Sequence, residues 1–312
     1  YKRSDRETAE LILSSQDKFG LCVHGCNHTK GEFGISDLGR LDDILKCATL
    51  RMETHKQSTG LPYQEIMVFP QGIFSRESLG VLKWNNYLAA VSTDASPVNL
   101  DSPLNFSEYL YPAVMAYHDF PLFLRRDPRD IAGLAFDLLL GKPALVVIHH
   151  QQFQSGYRAF GDIIEQISSL DPKLQWENLH GVVTKTSLIR CDHPENVLVR
   201  PFCRDFEIKN GSDTDKAFNI NKRESSEPKE IEILVDGEAV PFQFADGGLA
   251  FQLNMRPQSS AHCEIRYKNT SLLKNICAPP LTTYHIALRR YLSEIRDNYI
   301  CRVPFLRLLW RA

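Results

Sequence analysis

The chain has 312 residues, 43% of them hydrophobic, with 36 basic against 38 acidic side chains and a formal net charge of -2. That length fits one large domain and a small one with full cores. The near-neutral balance excludes the broad basic field that would make nucleic acid the main partner, and no run reaches the roughly 18 apolar residues of a transmembrane segment. The eight cysteines, at 22, 26, 47, 191, 203, 263, 277 and 301, include no C-x-x-C pair. They point to reduced thiols and a reducing, cytoplasmic setting more than to a disulfide scaffold.

In chain order, a helix is predicted at 6–14, capped by Ser4 or Asp5, then a strand at 19–24. A helix at 37–56 follows, with Leu41, Ile44, Leu45, Ala48 and Met52 on one face. The strand Ile66–Phe69, a helix at 75–84, the strand Leu88–Ser92 and an apolar run at 113–117 come next, then a helix at 129–140, the strand Ala144–Ile148 and a helix at 160–169. Near-continuous apolar strands between helices read as parallel strands buried on both faces, in a barrel or a doubly wound sheet. His24, Pro70-Gln71-Gly72, Asp94, His118-Asp119 and His149-His150 each follow the end of a predicted strand. That is the rim on which (β/α) barrels carry their active sites, so a barrel over 1–190 is expected. Because Tyr1 opens in the middle of this alternation, residues upstream of it are expected too.

Past residue 192 the pattern changes. Residues 209–230 are polar without a period, and short strand-like runs follow at 231–235, 240–244, 249–253 and 262–267, with turn signals at Asp236-Gly237 and Asp246-Gly247-Gly248. This predicts a small antiparallel β-sandwich over 191–278. Pro279-Pro280 then breaks the chain before a helical segment over 279–312, whose helix at 282–301 carries Leu288, Leu292, Ile295 and Tyr299 on one face. Its arginines at 289, 290, 296 and 302 suit either an anionic membrane surface or packing against the rest of the protein.

The segment His24-Gly25-Cys26-Asn27-His28 carries the clearest chemistry. A short apolar strand followed by a tight turn aims two neutral imidazoles, four residues apart, at one divalent cation, with zinc the first metal to consider. The alternative is a pair of loop histidines that meet nothing. Cys26 is a further candidate ligand, Asp94 is either catalytic or a cap, and Arg125-Arg126-Asp127 either grips a carboxylate or phosphate or forms a salt-linked turn.

Taken in order, His24-x-x-x-His28, Pro70-Gln71-Gly72, Asp94 and the apolar strand closing on His149 resemble the polysaccharide deacetylase family (carbohydrate esterase family 4), over about residues 1–180. The resemblance implies an irregular (β/α) barrel, a divalent metal on His24 and His28, a catalytic role for Asp94, and His149 as general acid. It also implies a third ligand and a general base from an Asp-Asp pair, expected upstream of Tyr1. The implied function is a metal-dependent hydrolase, acting on C–N bonds other than peptide bonds or on esters, that removes acetyl groups from a carbohydrate. Such a reaction needs an activated water, a polarised carbonyl and a proton donor for the leaving amine. This chain departs from the family pattern in three places: the Asp-Asp pair is absent before His24, Val68 or Phe69 stands where an arginine precedes Pro70, and Gly25 replaces Ser or Thr. A glycan-binding or polysaccharide-assembly protein without catalysis is the alternative.

Overall fold

Asp37 and Gly60 set the ends of the longest helix in the computed structural model, α2 (Leu38–Thr59): the Asp37 carboxylate accepts from Arg40 N–H, and Gly60 closes the helix at φ 76°. Glycine takes that left-handed geometry without a Cβ penalty. The structure describes residues 3–16, 18–100, 102–149, 156–193, 195–226, 230–245, 247–267, 288, 291 and 292. They fall in two units, 1–272 and 273–312. In the second, Leu288, Tyr291 and Leu292 are helical, and the rest of the helix expected at 282–301 lies outside the described residues.

The first half of unit 1 also holds helices α1 (Arg3–Leu13), α3 (Arg76–Trp84), α4 (Phe106–Leu110), α5 (Ile131–Leu139), α6 (Arg158–Ser168) and α7 (Leu179–Lys185). Its strands are β1 (Leu21–Val23), β2 (Tyr63–Val68), β3 (Ala89–Ser92), β4 (Leu122–Arg126) and β5 (Leu145–Val146), parallel in the order β1-β2-β3-β4-β5. An order without reversal places the right-handed crossover helices on one side of the sheet.

The barrel expected from the sequence does not close. The five strands curl into a half-barrel, and the remaining sheets are mainly antiparallel. Among the described residues β1 pairs only with β2 and β5 only with β4. Closure in the common (β/α) barrel takes about eight strands. Here the later strands are committed to other sheets, and the two edges are three and two residues long.

The apolar run at 113–117 is not a strand: Val114 makes a single antiparallel bridge to Leu122, and β4 starts five residues beyond the run. His118 and Asp119 therefore precede a strand instead of ending one, and they stand at the opposite end of the sheet from His24.

The second half carries β6 (Ser187–His193), β7 (Asn196–Pro201), β8 (Asp205–Asn210), β9 (Lys216–Arg223), β10 (Ile231–Val235), β11 (Glu238–Ala239), β12 (Gln243–Ala245), β13 (Gly248–Met255) and β14 (Ser259–Tyr267). They form two sheets, β11-β10-β14-β8 and β12-β13-β9-β7-β6, with β7 and β9 parallel. Both contribute to one core: Val199, Ile220 and Phe251 from the second meet Phe206, Ile233 and Ile265 from the first. The span 209–230, which shows no period in sequence, contains all of β9. There Phe218, Ile220 and Lys222 alternate inward, and the lysine at a core position conceals the pattern.

That lysine belongs to a buried ionic cluster joining the halves of unit 1. Glu224 accepts from Lys83 of α3, lies 3.6 Å from Lys222, and takes further hydrogen bonds from Tyr267 Oη at 2.6 Å and Ser226 N at 2.9 Å. Lys83 also donates to the His118 carbonyl at 2.9 Å, and Arg223 pairs with Glu108 and Asp119. No described helix is long and apolar enough to cross a membrane.

Candidate functional site

Side chains of a strand alternate between faces, so each strand's core partners show which way its last residues point. On β4, Leu122 packs with Val23 and Met67 among residues of α2 and α3, whereas Phe123 packs with Ile66, Ala89 and Val91 on the other face. Cys22 and Leu145 share the Phe123 face. Continuing the alternation carries His24, one residue past β1, and Arg125 on β4 to that same face, while His149 lies three residues beyond β5. The helices α2 and α3 do not cover it.

His24 is fixed by backbone. Its Nδ1 lies 2.7 Å from the Val68 carbonyl; a carbonyl only accepts, so Nδ1 bears the proton and Nε2 keeps the lone pair. Partial burial lowers the His24 pKa, the Val68 bond opposes this, and repulsion from His28 and Arg125 lowers it further. The imidazole thus stays neutral and ligand-competent to lower pH than an ordinary histidine. Its ring stands 4.9 Å from that of His28, centroid to centroid, at 65°. His28 itself takes φ 54°.

The turn between them is braced from two directions. Glu32 accepts from Cys26 N and Asn27 N, each at 3.0 Å, and from Thr29 Oγ1 at 3.3 Å. Arg51 of α2 donates to the Cys26 carbonyl and to Asn27 Oδ1. Gly25 has φ 75°, and a Cβ there would overlap the Glu32 carboxylate and stand 2.6 Å from Pro70 Cγ. A glycine where the resembled family carries Ser or Thr is therefore a steric requirement of this turn. Glu32 and Arg51 carry no signal in sequence, because their role arises only once α2 packs beside the turn.

Cys26 turns away from the imidazoles. It packs against the core beside Cys47, and burial pushes its thiol up to about 12. Asp94 is exposed and spends its polar groups on its own turn, Oδ1 accepting from Ser96 N at 3.0 Å and its N–H donating to Ser92 Oγ at 3.2 Å. His149 is exposed beyond β5, and His150 lies outside the described residues.

Of the two neighbouring arginines, Arg126 is held by Asp130 and bidentately by Asp137. Among the described residues Arg125 has no such partner, and its Nε is buried without a hydrogen bond. A pocket of about 210 Å³ opens elsewhere, lined by Tyr111, Met115, Arg200, Phe202 and Arg223 among others, and none of His24, His28, Arg125 or His149 lines it.

The two imidazoles fit a divalent ion such as zinc in kind. Among the described residues no group of three or more His, Cys, Asp or Glu is placed to hold a metal. No protein-family model matches the chain, and no curated protein matches it either.

Proposed function

We propose that the protein is a metal-dependent hydrolase that removes acetyl groups from a carbohydrate, with His24 and His28 as protein ligands of the metal. The observation that carries this reading is the fixed tautomer of His24: Val68 holds Nδ1–H, so Nε2 keeps its lone pair, and the His28 ring lies 4.9 Å away, centroid to centroid. Hydrogen-bonded orientation of this kind is what ligating histidines commonly have. A bound divalent ion would polarise the acyl carbonyl and lower the pKa of water. The chain's own contribution is to hold the His24 imidazole neutral beside His28, and His149, beyond β5, is the group we assign to donate a proton to the leaving amine.

A second reading, a glycan-binding protein without catalysis, draws support from the carboxylates. Glu32 is fully engaged in bracing its turn and Asp94 in capping its own.

His24→Ala/His28→Ala is expected to lose the divalent metal that the wild type retains after dialysis, measured by elemental analysis; equal metal content in both would defeat the site. Acetate release from an acetylated amino-sugar oligomer then separates the readings, since a binding protein retains the oligomer without releasing acetate. His149→Ala is expected to slow that release by about a hundred- to ten-thousandfold with metal content unchanged, and an undiminished rate would remove His149 from the chemistry.

A further inference from the structure

We propose that Arg125 is the anion-binding residue of the His24–His28 face and that the ligand bound there carries a carboxylate, as an acidic saccharide does. This deepens the proposed function and rests on its site, but not on its chemistry.

Arg125 stands on the last turnout of β4, opposite Leu145 of β5, and shares the face of Phe123 and His24. Its buried Nε has no partner, and among the described residues no carboxylate pairs with the guanidinium. Leaving a buried donor unmade is costly, and an arginine stays charged even when burial is its dominant influence, as here. Three strand spacings separate β1 from β4, about 14 Å on a flat sheet. The curl and the length of the arginine bring the charge close enough to His24 to act on it.

Arg126 provides the contrast. One residue on, and facing the other way, it is paired with two aspartates. The chain thus satisfies the arginine that turns from the site and leaves unsatisfied the one that turns toward it. A planar guanidinium with free donors recognises a carboxylate through two parallel hydrogen bonds, which a neutral sugar cannot supply. The neighbouring His24 imidazole, pushed toward its neutral form by burial, brings no negative charge to the guanidinium. A ligand whose only polar groups are hydroxyls would leave that charge unanswered.

The test compares binding of trigalacturonate, neutral tri-N-acetylchitotriose and glucose 6-phosphate to the full chain by calorimetry, with metal content measured in every sample. Wild type is expected to bind the uronate about ten- to a hundredfold more tightly than the neutral trimer. Arg125→Gln is expected to remove that preference while leaving metal content and thermal melting unchanged. If that variant melts early, Arg125→Lys takes its place, keeping the charge without the planar fork, and a several-fold loss of the preference is expected. No preference in wild type, a preference that survives both substitutions, or tighter binding of the sugar phosphate would each overturn the proposal. A preference that depends on Arg125 in a protein holding no metal would uphold it and defeat the hydrolase reading. Metal bound through His24 and His28 with no uronate preference would do the reverse.

Discussion

Glu224→Gln is expected to destabilise unit 1 by about 3–5 kcal/mol, the usual consequence of removing one member of a buried ion pair. Among the described residues Glu224 is the only carboxylate bonded to both Lys83 and Lys222, whose side chains are 3% and 2% exposed. Without it two ammonium groups remain in a space that water does not reach. The amide keeps the shape and accepts some of the hydrogen bonds, so the loss reports charge and not packing. A denaturant titration checks it: the midpoint should fall with an unchanged slope, and a midpoint within about 0.5 kcal/mol of wild type would show that the lysines shed their protons at little cost.

The same cluster makes a statement about acid. Burial alone would raise the Glu224 pKa, but Lys222 and Lys83, with the hydrogen bonds from Lys83 and Tyr267, outweigh it and hold the carboxyl near 2, against an ordinary 4.5. A folded-state pKa below the unfolded one contributes stability that is complete above the unfolded value and is lost as pH falls toward the folded one. The gap between wild type and Glu224→Gln should therefore narrow from pH 4.5 down to about 2. A gap that stays constant over that window would mean that Glu224 is not charged in the native protein.

Gly25→Ala is expected to dismantle the His24–His28 turn, costing about 2–4 kcal/mol and most of the metal affinity. The left-handed backbone accounts for about 1–2 kcal/mol of this. Expulsion of the Glu32 carboxylate from two backbone N–H groups and one hydroxyl accounts for the rest, about 1–2 kcal/mol net because most of the lost hydrogen bonds are remade with water. Gly31→Ala is the control. Gly31 also has a positive φ of 68°, but a Cβ there would meet only Ile73 Cγ2, at an ordinary 3.7 Å. It should pay the backbone term alone and keep its metal. If the two variants melt together and bind metal alike, the close approach of Glu32 to Gly25 does not hold the turn.

Local signals in this chain were legible where the physics is local. The helix expected at 37–56 forms as α2, Leu38–Thr59, because its apolar face and its two ends, the Asp37 cap and the Gly60 stop, need only near neighbours. Asp236-Gly237, at φ 51° and 87°, turns β10 into β11 because that dipeptide tolerates the backbone of a tight hairpin. The placement of His24 and His28 around one turn follows likewise from spacing alone.

Tertiary structure decided the rest. The apolar run 113–117 is buried at every position but Ala116, yet it joins a ladder only at Val114; apolar composition calls for burial and does not specify a ladder. Curling without closure depends on which strands find partners, and five parallel strands with short edges leave the face carrying His24 uncovered by the crossover helices. Lys222 reads in sequence as a solvated charge and lies in a core because Glu224 meets it there. Arg125 and Arg126 are indistinguishable neighbours in sequence. Strand alternation sends one toward Asp137 and the other toward His24, and a charge takes its meaning from what the distant chain places opposite it.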